Sequence, residues 1–273
     1  IDDILDICQR EKITALFPMN TNELELFETV QDRFAEIGTT VILTSGLIKI
    51  ANDKLKMTLF LSRQGIRQPF TRACRSYLDY QTVLWRHPDK KLCIKLPHGC
   101  GGRGFRVIGV EEYVKERSSP VSYISQVELK MLFQHFNDEF MIQEYLPGAE
   151  YTVDVLSVNG KVVAGATKRN GDVEGIARRS EIIPNEEAFE QCAKACEALQ
   201  LDGNVGFDLK ENADGVPYII DINPRLTATV SLIQKAGLNL PYYGYRYKTG
   251  FSLPDSFPKP RVGARLVRQL ADY

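Results

Sequence analysis

VGFDLKENADGVPYIIDINPR, residues 205–225, is the stretch that decides the fold of this 273-residue chain. Two apolar runs rich in β-branched residues flank a turn-forming centre, which is the pattern of a β-hairpin. In the second run Asp221 and Asn223 are two positions apart, so their side chains point to the same face of the strand. Pairing of the two strands would bring Asp208 beside them. We therefore expect three oxygen-bearing side chains on one face of a sheet.

This set of side chains has the chemistry of a magnesium site. Two carboxylates and an amide oxygen are hard ligands, and Mg²⁺ usually takes few protein ligands together with substrate phosphates. Arg225 continues the same face and is a candidate for holding an anion beside the metal. The alternative interpretation is an acidic turn at a sheet edge. Asp221 interrupts an otherwise apolar run, which favours the metal site.

Composition excludes several classes of partner. Apolar residues make up 44% of the chain and charged residues 25%, which is ordinary for a globular protein. The formal net charge of -1 argues against a general nucleic-acid or anionic-membrane surface. No apolar run approaches the roughly 20 residues that span a bilayer, and no secretory pattern opens the chain. We expect a cytoplasmic protein. The six cysteines form no CxxC pair and the three histidines are scattered, so zinc is not indicated.

The order of predicted elements changes along the chain. Residues 1–45 alternate helix and strand, an α/β wound pattern that lacks a first strand. Because the helical pattern begins at Ile1 without an initiating Met, we expect the sequence to start within a domain. The later part reads as an α+β body with antiparallel strands, including a hairpin turn at Asn159-Gly160.

A glycine-rich loop follows the predicted strand that ends at Lys95. Gly99, Gly101 and Gly104 match G-x-G-x-x-G, but a Rossmann fingerprint runs from strand into helix and here residues 105–110 read as a strand. A glycine loop between two strands is the arrangement that covers ATP phosphates in kinases. We expect backbone N–H groups of the loop to approach phosphate oxygens and Lys95 to place an ammonium on them. A surface loop without a ligand is the alternative.

A third segment, residues 141–150, is a strand that ends in a Pro-Gly turn. Its edge exposes backbone donors and acceptors that suit an adenine ring, and Glu150 could accept hydrogen bonds from ribose hydroxyls. A strand, a turn and an acidic residue are common, so this segment by itself is weak evidence.

Taken in order, these segments resemble the ATP-grasp superfamily. The similarity is greatest to the ATP-binding domain of carbamoyl-phosphate synthase large chains, biotin carboxylases and related carboxylate–amine ligases, and it runs from about Asp53 to Leu240. The resemblance implies an α+β fold in which two lobes, residues 49–142 and 143–273, grip ATP. Residues 1–48 resemble the end of the Rossmann-like α/β domain that precedes the ATP-grasp domain in this family.

The resemblance also implies roles for individual residues. Carried over by position, the ATP contacts are Lys54, Lys95, Gly101, Gly102, Gly104, Gln143, Glu144, Tyr145, Leu146, Glu150 and Lys168, and the metal ligands are Asp208, Asp221 and Asn223. Lys95 and Arg225 match the catalytic positions. Two departures matter: Asp221 stands where Glu is commoner in the family, and Gly206 is another possible alignment for the ligand assigned to Asp208. A solvated strand end is an equally good interpretation of Lys168.

The activity implied is ATP- and Mg²⁺-dependent (or Mn²⁺-dependent) activation of a carboxylate as an acyl phosphate, followed by attack of an amine. Small-molecule carboxylate and amine substrates would be the partners, with no nucleic acid and no membrane, and a homodimer is an open possibility. Phosphorylation of bicarbonate or carbamate is the alternative among enzymes. A non-catalytic nucleotide-binding module is the alternative outside them, although such a module needs no metal cluster.

Overall fold

A computed structural model describes residues 1–96, 104–109, 122–136, 138–174 and 176–269. Within them no helix combines the length and the apolar character needed to cross a membrane. The N-terminal unit has the α/β pattern that the sequence predicts, with its two short strands paired in parallel. Its elements are α1 (Asp2–Arg10), β1 (Ala15–Leu16), a 3-10 turn (Thr21–Glu23), α2 (Leu24–Glu36) and β2 (Thr40–Val41).

The smaller lobe is a five-stranded sheet with two helices on one face. Its strands, in the spatial order β3-β7-β4-β5-β6, are β3 (Thr71–Cys74), β7 (Phe140–Glu144), β4 (Leu92–Lys95), β5 (Arg106–Ile108) and β6 (Tyr123–Ile124). The helices are α5 (Tyr77–Arg86) and α6 (Gln126–His135), and each begins with a capping box, at Ser76 and Ser125.

Alternation along β7 assigns the two faces of this sheet. Phe140 and Ile142 belong to the core under the helices, together with Leu92 and Ile94 of β4. The residues that alternate with them, including Gln143 on β7 and Lys95 on β4, therefore lie on the opposite face. That face is turned towards the second lobe.

The larger lobe is built on a six-stranded antiparallel sheet. Its strands, in the spatial order β12-β11-β8-β9-β10-β13, are β12 (Pro217–Asn223), β11 (Gly203–Glu211), β8 (Glu150–Val158), β9 (Lys161–Glu174), β10 (Ile176–Ile182) and β13 (Arg265–Val267). Helix α7 (Glu186–Ala198) packs on one face through Ala188, Cys192, Ala195 and Cys196. Two further helices, α8 (Val230–Lys235) and α9 (Leu240–Lys248), contribute to a separate core that includes Leu156 and Ile182.

The β8–β9 hairpin turn confirms the prediction at Asn159-Gly160. Both residues have positive φ, 50° and 79°, as a two-residue turn that matches strand twist requires. Val158 and Lys161 are the last pair of the hairpin ladder.

The packing changes the expected division into lobes. Helices α3 (Ile48–Ala51) and α4 (Lys54–Arg63) place Ala51, Met57 and Leu61 in the core of the larger lobe, although residues 49–142 were expected to form the smaller one. The boundary expected between residues 142 and 143 falls inside β7, so the connection between the two sheets begins at Tyr145. The division of the chain into three domains remains a proposal with these shifts.

Candidate active site

Two acidic residues meet on the larger sheet. Asp208 of β11 is the antiparallel partner of Asp221 of β12, and Gly206 is the partner of Asn223. Asp208 therefore lies beside Asp221, whereas Gly206 has no side chain that could bind a metal. Burial and the neighbouring Asp221 carboxylate raise the pKa of Asp208 to about 7. Burial and the nearby carboxylate thus disfavour the ionised form of Asp208 in this arrangement.

A β-bulge gives Asp221 its position. The pairing of β11 with β12 shifts between Asp208 and Leu209, so that Leu209 pairs with Ile219 and Ile220 is left over. Ile219 and Ile222 both point into the core, while Asp221 and Asn223 are only partly buried. Without the extra residue, Asp221 would share the core-facing side with Ile219.

Both oxygens of the Asp208 carboxylate accept hydrogen bonds. The Thr152 hydroxyl donates to Oδ1 at 2.9 Å and Asn223 Nδ2 donates to Oδ2 at 3.2 Å. Thr152 is held in turn, because Asn170 Nδ2 donates to its hydroxyl oxygen at 2.8 Å. The carboxylate is therefore fixed from both sides before any ligand arrives.

Arg225 lies beside this cluster. Its Nη2 donates to Asn223 Oδ1 at 3.0 Å, and its Nε donates to the Thr21 hydroxyl at 2.8 Å. A third bond, from Nη1 to the carbonyl of Leu226, measures 2.9 Å. None of these three partners is a carboxylate, and Asn223 links the guanidinium to the Asp208 carboxylate.

Lys54 reaches β12 from the N-terminus of α4. Its Nζ lies 2.8 Å from Asp221 Oδ1, and both side chains are largely buried. Helix α4 starts at Lys54 because the Asp53 carboxylate caps the N–H groups of Leu55 and Lys56. The sequence-predicted ATP contact is thus brought to a predicted metal ligand.

Lys95 lies on the cleft face of the smaller lobe. Its Nζ donates to Gln143 Oε1 at 2.7 Å, and Gln143 Nε2 donates to the Thr71 hydroxyl at 3.0 Å. Burial lowers the pKa of Lys95, and the positive charges of Lys54 and Lys210 act in the same direction. The three lysine side chains are therefore close enough to influence one another, with Lys54 paired to Asp221 and Lys210 to Glu150.

Lys210 was missed by the sequence analysis. It follows Asp208 by two positions on β11 and so shares its face, and its Nζ lies 3.6 Å from Glu150 Oε2. The alternation that places Asn223 on the same face as Asp221 also places Lys210 on the same face as Asp208. Glu150, the expected ribose ligand, is consequently held by a cation at the start of β8.

The hinge segment divides between the two faces of the smaller sheet. The Glu144 carboxylate is paired with Lys90 at 2.8 Å and lies on the same face as Ile142, away from the cleft. Its side chain therefore does not face the cleft, and the predicted adenine contact of Glu144 stays with its backbone. The Tyr145 ring remains at the cleft, 6.4 Å from the Phe105 ring, and Leu146 is buried.

Lys168 does not reach the exposed part of the site. Its side chain has no exposed surface, and its ammonium forms an ion pair with Asp154 and donates to the Thr229 hydroxyl at 2.6 Å. The Thr227 hydroxyl donates to Asp154 at 2.6 Å, and its methyl group occupies the space left by the missing side chain of Gly206. The loop after β12 thus covers Lys168, so this geometry does not support it as a nucleotide contact.

The structure describes only the last residue of the G-x-G-x-x-G segment, Gly104. Gly101 and Gly102 lie outside the described residues, as does Gly99. Gly104 is described and has a φ of +84°, a conformation that favours glycine. Their roles as phosphate contacts stay predictions.

The donor set at Asp208 and Asp221 fits a magnesium ion in its chemistry. Within the described residues no group of three or more His, Cys, Asp or Glu side chains is arranged around a metal position. Two carboxylates and one amide are nevertheless the sparse oxygen set that Mg²⁺ takes with phosphates. Asn223 now turns its nitrogen towards Asp208, so ligation through its oxygen requires the amide to rotate.

Comparisons with known proteins agree with this architecture. Residues 136–270 match the family model described as ATP-grasp in the biosynthetic pathway with Ter operon, and residues 1–42 match the PylC-like N-terminal domain. A probable alpha-L-glutamate ligase of Serratia proteamaculans is 29% identical over 259 residues, which cover 90% of this chain and 81% of the relative.

Two longer proteins are similar over nearly the whole chain. The carbamoyl phosphate synthase large chain of Ralstonia nicotianae is 24% identical, over 93% of this chain and 24% of its own length. The crystal structure of a biotin carboxylase from Campylobacter jejuni superposes with a TM-score of 0.72 at 18% identity, over 93% of this chain and 59% of that one. The chain thus spans only part of these two proteins.

Fold and comparisons together define a two-lobed α+β architecture, and residues 136–270 match an ATP-grasp model. The chain is similar to ATP-dependent carboxylate–amine ligases and resembles the ATP-binding domain of carbamoyl-phosphate synthase large chains.

Proposed function

We propose that this chain transfers the γ-phosphoryl group of ATP to a carboxylate and that an amine then displaces phosphate to form an amide. The observation that carries the proposal is the grouping of Asp208, Asp221 and Asn223 with Arg225, with Lys54 paired to the same acidic strand. The relative named as a glutamate ligase supports a reaction of this class.

The lysines supply the first requirement, which is binding of a triphosphate. Lys95 and Lys54 carry positive charge to the space between the sheets, and Lys210 adds a third cation there. Phosphoryl transfer needs such charge because negative charge spreads over the transferred group's oxygens. Glu150 and the backbone of residues 144–146 are the proposed contacts of ribose and adenine.

Asp208, Asp221 and Asn223 would hold a divalent cation, Mg²⁺ or Mn²⁺. When bound, that ion neutralises phosphate oxygens during transfer. Lys54, whose ammonium pairs with Asp221, would contact the nucleotide phosphates beside that ion.

Arg225 orients the carboxylate. A carboxylate oxygen attacks the γ-phosphorus, the bond to the β-phosphate oxygen breaks, and ADP leaves. The amine nitrogen then attacks the acyl carbon, the bond from that carbon to the phosphate oxygen breaks, and phosphate leaves with the proton that the amine loses. The side chains position reactants and stabilise charge, so the reaction needs no nucleophilic residue.

Product analysis tests the proposal. The chain, or the full-length protein, is incubated with Mg-ATP, a panel of carboxylic acids and hydroxylamine, which traps acyl phosphates as hydroxamates. We expect ADP, phosphate and hydroxamate in equal amounts, and none of them from Asp221→Asn at a comparable rate. Formation of AMP and diphosphate, or ATP consumption that no acid stimulates, would contradict the proposal.

Bicarbonate is the second candidate acceptor of the phosphoryl group, because a carbamoyl phosphate synthase and a biotin carboxylase are both similar to this chain. The same assay separates the two, since bicarbonate alone would then stimulate ADP formation. A homodimer is the proposed oligomeric state, and light scattering on the purified protein tests it.

A further inference from the structure

Asp154 of β8 and Lys168 of β9 form a buried ion pair beneath the loop that follows β12. Asp154 follows Thr152 by two positions, so both lie on the face of the larger sheet that carries Asp208. The Lys168 side chain has no exposed surface, and that of Asp154 is 4% exposed. Burying two charges costs solvation that their attraction only partly returns, so the pair by itself is weak evidence for stability. What the two groups contact is therefore more informative.

Each charged group reaches a threonine of that loop, residues 224–229. The Thr227 hydroxyl donates to Asp154 Oδ1 at 2.6 Å, and Lys168 Nζ donates to the Thr229 hydroxyl oxygen at 2.6 Å. A longer bond of 3.4 Å joins Lys168 Nζ to the Thr227 hydroxyl oxygen. Hydrogen bonds with a charged partner are stronger than those between neutral groups. The buried pair therefore fastens the loop to the sheet at two positions.

Gly206 of β11 allows the loop to approach the sheet this closely. A Cβ atom at this residue would overlap the methyl group of Thr227 and would lie 3.2 Å from Asp154 Oδ1. Residues 206 and 208 share a face of the strand, so this gap in the side chains opens beside Asp208. The glycine and the charged pair thus serve the same contact, although they lie on three different strands.

Arg225 is carried by the same loop, two residues before Thr227. Strand β12 ends at Asn223, and the Thr227 hydroxyl is bonded to the sheet again four residues later. Arg225 therefore lies on a short span that is held at both ends. The bonds of its guanidinium to Thr21 and Asn223 require the backbone of this span to stay in place.

We infer that Lys168 and Asp154 are positioning residues for Arg225. Through Thr227 and Thr229 they hold the loop in the conformation that presents the guanidinium to the carboxylate of the acid. The inference rests on the proposed function for the identity of that carboxylate. It gives Lys168 a role in the site that requires no contact with the nucleotide.

Threonine variants test the inference without breaking the buried pair. Thr227→Val and Thr229→Val each remove one hydroxyl that the pair contacts, whereas Thr227→Ser and Thr229→Ser keep it. We expect KM for the acid to rise at least about threefold in each valine variant, with little change in KM for ATP. Both serine variants should stay near the parental values. Equal rises in the two KM values, or equal effects of valine and serine, would overturn the inference.

Thr39→Val is the matched control for loss of a buried hydroxyl. Thr39 is 1% exposed, and its hydroxyl donates to the carbonyl of Ile13 at 2.6 Å within the N-terminal unit. The variant loses a hydrogen bond of the same length as that of Thr227 and should leave both KM values unchanged. A rise in KM for the acid as large as that of Thr227→Val would assign the effect to general loosening of the fold and overturn the inference.

A spectroscopic measurement follows Arg225 itself and does not depend on turnover. The proton on its Nε is protected by the bond to Thr21, and its NMR signal in protein labelled with ¹⁵N at arginine is identified by its loss in Arg225→Lys. We expect this proton to exchange with water at least about threefold faster in Thr227→Val and Thr229→Val than in the parent. Thr39→Val should show parental exchange. Parental exchange in both of the other valine variants would overturn the inference.

The two proposals fail in different ways. If no acid stimulates ADP formation by the parent, the proposed function fails, while the exchange measurement still decides whether the buried pair fixes Arg225. If an acid is activated and both loop valine variants use it with the parental KM, the proposed function stands and the inference fails.

Discussion

Arg225 donates a hydrogen bond through Nε to the hydroxyl of Thr21 at 2.8 Å, across 204 positions of the sequence. The bond connects the N-terminal unit to a residue two positions beyond the end of β12. Because Nη2 of the same guanidinium is bonded to Asn223, Arg225 is held at both edges. The N-terminal unit therefore takes part in the site by orienting the group proposed to bind the carboxylate.

Thr21→Val should weaken use of the carboxylate and leave use of ATP nearly unchanged. The substitution keeps the shape of the side chain and removes the acceptor that holds Nε. We expect KM for the acid to rise about three- to tenfold, the equivalent of one ordinary hydrogen bond, with little change in KM for ATP. Steady-state kinetics with each substrate varied in turn measure both. Thr21→Ser keeps the hydroxyl and should restore the parental KM; equal effects of Val and Ser would contradict this role.

Lys95→Ala should weaken nucleotide binding, because it removes a charge partner of the phosphates. We expect an increase of about tenfold or more in the Kd for Mg-ATP, measured by calorimetry. Lys194→Ala is the matched control: Lys194 is paired with Glu190 on the exposed face of α7, and its loss should leave the Kd unchanged. A Lys95→Ala protein that binds ATP as tightly as the parent would show that the phosphate assignment is wrong.

Asp221→Asn should separate binding from turnover. The side-chain volume is kept while one anionic ligand and the partner of Lys54 are lost. We expect turnover to fall by about a hundredfold or more and the Kd for Mg-ATP to change much less, because the metal contributes most in the transition state. Circular dichroism checks that the fold persists. Near-parental turnover in this variant would exclude Asp221 from the metal site.

The raised pKa of Asp208 predicts how the metal-free protein responds to pH. Its folded pKa of about 7 lies above the value of about 3.9 for an unfolded Asp, so between these values the folded state holds the extra proton. The contribution of Asp208 to the free energy of unfolding must therefore decrease as pH rises through this window. Urea unfolding at several pH values should show that the parent loses stability relative to Asp208→Asn between about pH 5 and pH 7.5. A difference that stays constant or increases with pH would contradict the assigned shift.

Sequence reasoning predicted that Asp208 and Asp221 are neighbours, but it did not predict the β-bulge that turns Asp221 away from the core. Strict alternation along β12 places Asp221 on the same face as Ile219, and only the extra residue Ile220 resolves the conflict between a core position and a site position. Bulges depend on how two strands pair, which a single strand's pattern does not contain. Lys210, by contrast, could have been predicted from the sequence, because it lies two positions after Asp208 on the same strand.

The directions of two side chains depend on packing that the sequence does not display. Glu144 follows Gln143 on one strand, so only one of the two could face the cleft, and Lys90 draws the carboxylate to the other side. Lys168 is buried because the loop after β12 lies over Gly206, a long-range contact. Helix α5, by contrast, carries a capping box at Ser76 and Asp79 and could have been predicted from local signals.

The most direct test of the central claim follows an oxygen atom. A carboxylic acid accepted by the chain is labelled with ¹⁸O at both carboxylate oxygens and incubated with Mg-ATP and an amine, and the released phosphate is examined by ³¹P NMR. Transfer of the γ-phosphoryl group to the carboxylate predicts one ¹⁸O in each phosphate molecule, since the oxygen that attacked phosphorus leaves with it. Unlabelled phosphate formed together with the amide would contradict an acyl phosphate and with it the role assigned to Asp208, Asp221, Asn223 and Arg225.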